Sequence, residues 1–244
     1  MYSSSITIKE LLAIDKIGLY GIPGRSNVTL GGAIASDTHG KDNIWGGSFE
    51  KNIKEIYLQL PNKEVITVSR EKDFEIFEST IGGYGLSGSI LGCSFENDLP
   101  TFSNFYNKSI ETGNGLGKLL SSIEFEDKKF TVCWIDLLGE KNNWVIENFE
   151  ENTSHKKVTR SINNKDSKIS IPFIGKNIFK SMSFINYLFY FKSNISKDKI
   201  VSLEKVLYPL SFITDTRNVS PERKIIQVQF SIPDNEKFYL EELI

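Results

Sequence analysis

A run of small residues between Gly31 and Lys41 ends in polar side chains that could do chemistry. Its last residues read Asp-Thr-His-Gly-Lys, which places His39 and Lys41 two apart beside a glycine. An imidazole and an ammonium that face one pocket can donate hydrogen bonds to an anionic ligand or a reduced flavin. The alternative is a solvent-exposed polar turn. Asp37 and His39 are too few ligands for a metal, so we expect no metal site.

Two glycine-rich segments could bring the backbone close to a phosphate. The first holds Gly24 and the pair Gly31-Gly32, and the second covers residues 82–88. Glycine lets backbone N–H groups approach a phosphate because no Cβ stands in the way. The spacing Gly-x-Gly-x-x-Gly in the second segment leads into a predicted strand, whereas a Rossmann fingerprint leads into a helix, so we reject that fold. Each segment alone also fits an ordinary tight turn.

The elements that must position these residues follow from local patterns. Residues 6–14 form a predicted helix, because Thr7 followed by Glu10 is a capping-box pattern. Residues 53–60 and 64–68 form a predicted hairpin around a Pro-Asn-Lys turn. Further predicted elements are a helix over 71–80, strands over 86–95, 129–138 and 224–232, a loop over 142–170, and a helix or strand over 178–191.

Composition and charge exclude several classes of protein. Of the 244 residues, 39% are hydrophobic and 25% charged, and the net charge is -2. This balance is typical of a globular protein and lacks the basic footprint of a nucleic-acid binder. We find neither an apolar run of ~18 residues nor a secretory signal, and we expect a cytoplasmic protein, peripheral to a membrane at most. Cys93 and Cys133 lie in apolar runs and are expected to be buried free thiols.

The motif over residues 29–41 resembles the FAD-linked oxidases of the vanillyl-alcohol oxidase superfamily, which carry a PCMH-type FAD-binding domain. The resemblance is strongest to sugar-oxidising members, the decaprenylphosphoryl-ribose 2-oxidases, with the aldonolactone oxidases more distant. It extends over nearly the whole chain. Supporting motifs follow in the family's order at residues 47–49, 82–88, 134–136, 208–210 and 227–233.

The resemblance implies an α+β fold in two parts. Residues 1–99 would be the C-terminal half of the FAD-binding domain, and residues 100–244 part of an antiparallel-sheet substrate domain. The chain resembles a central fragment, because the family's first glycine-rich loop and its last segment, with a catalytic lysine, find no match here. We therefore expect poor stability alone, or association with a partner.

The resemblance also implies an activity. Family members oxidise a secondary alcohol of a sugar by hydride transfer to flavin N5, with FAD as the cofactor, here non-covalent. The cofactor would be lined by Gly24, Arg25, Thr29, Gly32, Ser36, His39, Gly85 and Ile90. The catalytic residues would be His39, Lys41 and Gln229, and the residues at the substrate Trp134, Gln227 and Gln229. Alternation along a strand places Gln227 and Gln229 on one face, where amides can fix sugar hydroxyls.

The implied partners are a sugar or lipid-linked sugar, such as a precursor of cell-wall arabinan, and a second protein. The second protein would be a companion chain that supplies the unmatched flavin-domain segment, or the reductase subunit of an epimerase.

Two alternatives follow from departures from the family pattern. Ser211 stands where an acid is usual, Thr216-Arg217 replaces a Trp-Asn pair, and Arg25 replaces a small hydroxyl residue. These departures favour a non-catalytic homologue that binds a sugar or a partner. The Gly-Ile-Pro-Gly run at residues 21–24 also fits flavin reductases that resemble the cell-wall enolpyruvyl reductase, although the His-Gly-Lys run argues against that branch.

Overall fold

In the part of the chain that the structure describes, two four-stranded antiparallel sheets form the frame of the fold. The first sheet contains β1 (Tyr2–Ser3), β2 (Ile53–Gln59), β3 (Val65–Ser69) and β4 (Ser89–Phe95), in the order β1-β4-β2-β3. The second contains β5 (Phe105–Asn114), β6 (Phe130–Ile135), β7 (Asn143–Glu151) and β8 (Lys199–Ser202), in the order β6-β7-β5-β8. The computed structural model describes residues 1–15, 18–123, 130–152, 178–196 and 198–208.

Short helices surround the first sheet. They are α1 (Ile8–Asp15), α2 (Leu30–Ala35), α3 (Asn43–Gly46) and α4 (Phe74–Thr80). The predicted capping box of α1 is present, since the Thr7 hydroxyl accepts from the Glu10 N–H at 3.2 Å and the Glu10 carboxylate accepts from the Thr7 N–H at 2.9 Å. The predicted hairpin is also present as β2 and β3, and Lys63 in its turn has a φ of 72°. The remaining helices are α5 (Leu116–Ser122), α6 (Ile178–Asn194) and α7 (Leu203–Leu207).

The predicted loop over residues 142–170 is wrong at its start, because β7 occupies residues 143–151. Trp144, Val145 and Ile146 are consecutive and all buried. The strand lies between β5 and β6, and a central strand covered on both faces has a continuous apolar run rather than an alternating one. The polar composition of the following residues conceals this short run. The remainder of the predicted loop from residue 153, and the predicted strand over 224–232, lie outside the described residues.

The segment predicted as a helix or a strand is the helix α6. Hydrogen bonds between polar side chains are among its contacts with the second sheet. The Asn186 amide donates to Asp136 Oδ1 at 2.6 Å, and the Thr112 hydroxyl donates to Asn194 Oδ1 at 2.7 Å. Several of its apolar side chains are exposed instead, among them Phe184, Tyr187, Leu188 and Phe191. No helix in the described part of the chain is long and apolar enough to cross a membrane.

One cluster of buried side chains continues from the first half of the chain into the second. It includes Ile8 and Ile56 beside the first sheet, and Tyr106 and Phe130 in the second. The predicted domain edge at residues 99–100 stays a prediction. Cys93 is buried in this cluster, as predicted.

The expectation of burial is wrong for Cys133, which is exposed. Cys133 lies on β6, an edge strand among the described strands, opposite Ile146 of β7. Its neighbours on β6, Val132 and Trp134, point to the other face of the sheet because side chains alternate along a strand.

Candidate functional site

The helix α2 presents the predicted cofactor residues on one face. Its N-cap is Thr29, whose hydroxyl accepts from the Gly32 N–H at 3.2 Å. Thr29, Gly32 and Ser36 are spaced by three and four residues, so they share one side of the helix, and all three are exposed. The opposite side holds Leu30 and Ile34, which are buried in the core.

The two glycine-rich segments, far apart in sequence, meet at the C-terminal end of α2. The Gly82 N–H donates to the Ile34 carbonyl at 3.0 Å, and the Tyr84 N–H donates to the Ala35 carbonyl at 2.8 Å. These are carbonyls that a helix end leaves without internal partners, so the turn over residues 82–85 caps the helix. The turn continues the exposed face of α2 beyond the end of the helix, and we call this face the α2 surface: Thr29, Gly32, Ser36, Tyr84 and Gly85.

Two of the predicted cofactor glycines have open space where a side chain would stand. A Cβ added at Gly24 or at Gly85 would meet no atom within 4 Å. Gly85 also has a φ of +79°, which side chains other than glycine rarely adopt. Arg25 follows Gly24 and is exposed, whereas the predicted cofactor residue Ile90 lies on β4 and packs against the core.

Hydrogen bonds to the segment over residues 48–50 hold the polar residues 37–39 in place after α2. His39 forms an antiparallel bridge with Ser48, the Thr38 carbonyl accepts from the Phe49 N–H at 2.7 Å, and Asp37 Oδ1 accepts from the Glu50 N–H at 3.0 Å. The His39 side chain is half-buried. This run is therefore held between two segments and is not a free polar turn.

Asp42 is a buried acid that the sequence patterns do not indicate. Its Oδ2 accepts from the Gly21 N–H at 3.0 Å, and the residue is 2% exposed. A Cβ added at Gly40 would clash with Asp42 Oδ1, so the glycine after His39 is needed for this packing. Burial raises the pKa of the Asp42 carboxyl, while the Gly21 N–H and the charge of His39 oppose the shift.

Lys41 connects the first half of the chain to α7. Its Nζ donates to the Leu207 carbonyl at 2.6 Å. Burial lowers the pKa of Lys41 to about 8, although the negative charges of Asp42 and Glu147 act in the opposite direction. Lys41 is thus neutral in a larger fraction of molecules near neutral pH than an exposed lysine.

Two further charged residues that the sequence patterns do not indicate lie on the second sheet. Lys108 of β5 forms an ion pair with Glu147 of β7, and their side chains are only 14% and 19% exposed. Glu147 lies opposite Val132 of β6, so Trp134, two residues on, is on the same face of the sheet. The same face carries the Lys108–Glu147 pair, and the negative charge of Glu147 raises the pKa of Lys41 against the effect of burial.

Of the residues predicted at the substrate, Trp134 packs against α6, with its ring centroid 4.9 Å from that of Phe189. Gln227 and Gln229 lie outside the described residues. The described residues contain no group of three or more His, Cys, Asp or Glu side chains that could hold a metal ion.

The fold is shared with a solved enzyme structure. The chain is similar to the structure of a variant of berberine bridge enzyme, described as a reticuline dehydrogenase, with a TM-score of 0.54 and 13% sequence identity. The similarity covers 98% of this chain and 48% of that one. The resemblance confirms a mixed α+β architecture with two antiparallel sheets.

The chain is a homologue of the FAD-linked oxidases with a PCMH-type flavin domain. It is 25% identical over 230 residues to decaprenylphosphoryl-β-D-ribose oxidase of Mycolicibacterium smegmatis, covering 87% of this chain and 49% of that protein. It is also 24% identical over 143 residues to D-2-hydroxyglutarate–pyruvate transhydrogenase of Saccharomyces cerevisiae, covering 52% of this chain and 29% of that protein. No family model matches the chain. The chain spans about half the length of the first of these relatives.

Proposed function

We propose that this chain carries the central part of an FAD-dependent oxidoreductase that oxidises a secondary alcohol of a sugar. The single observation that carries the proposal is the junction of the two glycine-rich segments through the Gly82 and Tyr84 N–H groups. This junction builds one exposed surface from the motifs that resemble the flavin-binding motifs of the family. The homology to FAD-dependent oxidoreductases supports the cofactor.

Exposed glycines and hydroxyls at and near the α2 surface support FAD as the ligand. The open side of Gly24 and Gly85 leaves room for a flat ligand against the backbone. The hydroxyls of Thr29 and Ser36 lie on the exposed face, where they can donate hydrogen bonds to a pyrophosphate. Bound FAD would supply the acceptor for the hydride of the alcohol. The protein's own part is to hold the cofactor and to orient the alcohol.

The side chains that would act on the alcohol are His39, Lys41 and Gln229. Lys41 is held in place by the Leu207 carbonyl, and with its pKa lowered to about 8 its Nζ can exchange a proton near neutral pH. We assign His39 to hydrogen bonding with the cofactor or the sugar, and Trp134, Gln227 and Gln229 to the substrate. A sugar or lipid-linked sugar is the proposed substrate, because the relative from Mycolicibacterium smegmatis is named for one.

The proposed partner is a second protein, either a companion chain that completes the flavin domain or a reductase that acts on the oxidised sugar. A ketone formed from a sugar alcohol would require such a reductase if the net reaction is an epimerisation.

The first test is the visible spectrum of the purified chain after incubation with FAD and desalting. We expect retained flavin absorbance for the wild type and a loss for Gly85→Leu, because that side chain would project into the open surface. Gly115→Leu is the matched control, since Gly115 also has an open Cβ position and a positive φ of +84°. Both variants carry the same backbone strain, and only Gly85 belongs to the α2 surface. Equal loss in both variants, or a colourless wild type that is folded, would contradict the proposed site.

A non-catalytic homologue is the second candidate, favoured by Arg25, an exposed cation that stands where the family has a small hydroxyl residue. Anaerobic addition of sugar alcohols to the flavin-loaded chain distinguishes the oxidase from the non-catalytic homologue. Bleaching of the flavin by an alcohol supports the oxidase, and retained colour with saturable sugar binding supports the second candidate.

A further inference from the structure

A cavity of about 460 Å³ lies beside the segment that connects the two sheets. The rings of Trp45, Phe102 and Phe130 line it, with the centroid of Phe130 5.7 Å from Trp45 and 5.6 Å from Phe102. None of its lining residues belongs to the α2 surface. A cavity of this size and aromatic character suits a small organic ligand.

Two polar residues from paired strands line the same cavity. Tyr106 of β5 lies directly opposite Glu151 of β7, and both line the cavity. Tyr106 is fully buried, and its hydroxyl has no hydrogen-bond partner in the described part of the chain. Burial and the negative charge of Glu151 raise the pKa of Tyr106 against a smaller opposing effect of the nearby Ser103 backbone, so the hydroxyl keeps its proton. A buried hydroxyl without a partner is costly, and a ligand that bonds to it removes that cost.

The charge of the lining favours a cation. Glu151 is the only charged residue that lines the cavity among the described residues, and one of its oxygens accepts from the Ser103 N–H at 3.4 Å. Aromatic faces attract ammonium groups through their quadrupole.

We propose that this cavity binds a small organic ammonium. Its apolar body would lie among the rings of Trp45, Phe102 and Phe130. Its N–H groups would donate to the Tyr106 hydroxyl and the Glu151 carboxylate. This site is separate from the α2 surface and does not depend on the proposed oxidase activity.

Calorimetric titration of the full chain, without added FAD, tests the proposal with two probes of equal size. We expect saturable binding of benzylammonium in the millimolar range or tighter, and binding of neutral benzyl alcohol about ten-fold weaker or worse. Glu151→Gln should weaken benzylammonium binding by about ten-fold, because it removes the negative charge. Glu150→Gln is the matched control: its side chain lies on the other face of β7, and binding should stay within about two-fold.

Tyr106→Phe keeps the ring and removes only the hydroxyl. Because that hydroxyl has no partner, the variant should unfold at the same temperature as the wild type and bind benzylammonium about three- to ten-fold more weakly. Three results would overturn the proposal: equal binding of the two probes, no saturable binding of benzylammonium by the folded chain, or unchanged binding by Glu151→Gln. Since no flavin is present, these results are independent of FAD binding.

Discussion

At the scale of single residues, the surroundings of Lys41 change its acid–base chemistry in the range near neutral pH. The side chain is held by a backbone carbonyl, and burial favours its neutral form. The two neighbouring acids, Asp42 and Glu147, limit this effect without cancelling it. A lysine in this setting serves as a proton donor or acceptor near neutral pH, which an exposed lysine does not.

The stability of the fold should therefore depend on pH through Lys41. Its pKa in the folded chain is about 8, below the usual 10.5, so between these values the unfolded chain binds more protons at this group. Stability rises with pH wherever the unfolded state binds more protons, so the contribution of Lys41 should grow as pH increases from 8 to 10.5. Chemical denaturation of the wild type and of Lys41→Met at both pH values measures this contribution. A difference between the two proteins that is constant over this window would contradict the lowered pKa.

At the scale of elements, α2 is a short helix stabilised at both ends by bonds from outside it. Thr29 satisfies an N–H at the start, and the turn over residues 82–85 satisfies two carbonyls at the end. A helix of six residues is too short to be stable alone, so these bonds and the burial of Leu30 and Ile34 keep it formed.

Removal of the capping hydroxyl of Thr29 should destabilise α2 and lower the stability of the chain. Thr29→Ala should lower the free energy of unfolding by about 1 kcal/mol, because it leaves the Gly32 N–H without its acceptor. Thr29→Ser keeps a hydroxyl at the cap and should stay close to the wild type. Urea denaturation monitored by circular dichroism gives both values. Equal destabilisation by alanine and serine would assign the effect to the lost methyl group instead.

Local patterns predict elements whose signals lie within a few residues. The capping box of Thr7 and Glu10 and the turn between β2 and β3 are such signals, and both were correct. The sequence predicts no strand over residues 105–114, because β5 mixes Lys, Ser, Thr and Asn with few apolar residues. Its strand conformation comes from pairing with β7 and β8 on either side, which no local pattern reveals.

In the candidate site, too, local spacing predicts some features and long-range contacts determine the rest. The spacing of Thr29, Gly32 and Ser36 already places them on one helix face. The contacts that join the predicted site residues to other segments connect distant positions, as between Lys41 and Leu207, which lie 166 residues apart. Such contacts depend on the complete topology, and the motifs alone do not reveal them.

At the scale of the whole molecule, the shared core couples the two sheets. Trp45 of α3 packs edge-on against Phe130 of β6, and the Gly18 N–H donates to the Pro100 carbonyl at 2.9 Å. Contacts of this kind across the predicted domain edge favour a single cooperative unit.

Thermal unfolding should therefore show one transition in every probe. Tryptophan fluorescence of Trp45→Phe reports on Trp134 and Trp144 of the second sheet, and far-ultraviolet circular dichroism reports on all elements. We expect the two melting curves to coincide, because separation of the sheets would expose the common core. Two separate midpoints would instead support independent domains divided near residue 99.

The capping of α2 by the turn over residues 82–85 also sets an order of events during synthesis. Residues 30–36 leave the ribosome well before the turn that completes their surface, and chain growth is slow compared with the closing of a loop. A nascent chain thus carries half of the α2 surface until β4 has emerged and paired with β2. A cofactor that needs both halves can bind only after that pairing, so it stabilises a finished sheet and cannot guide the sheet's formation.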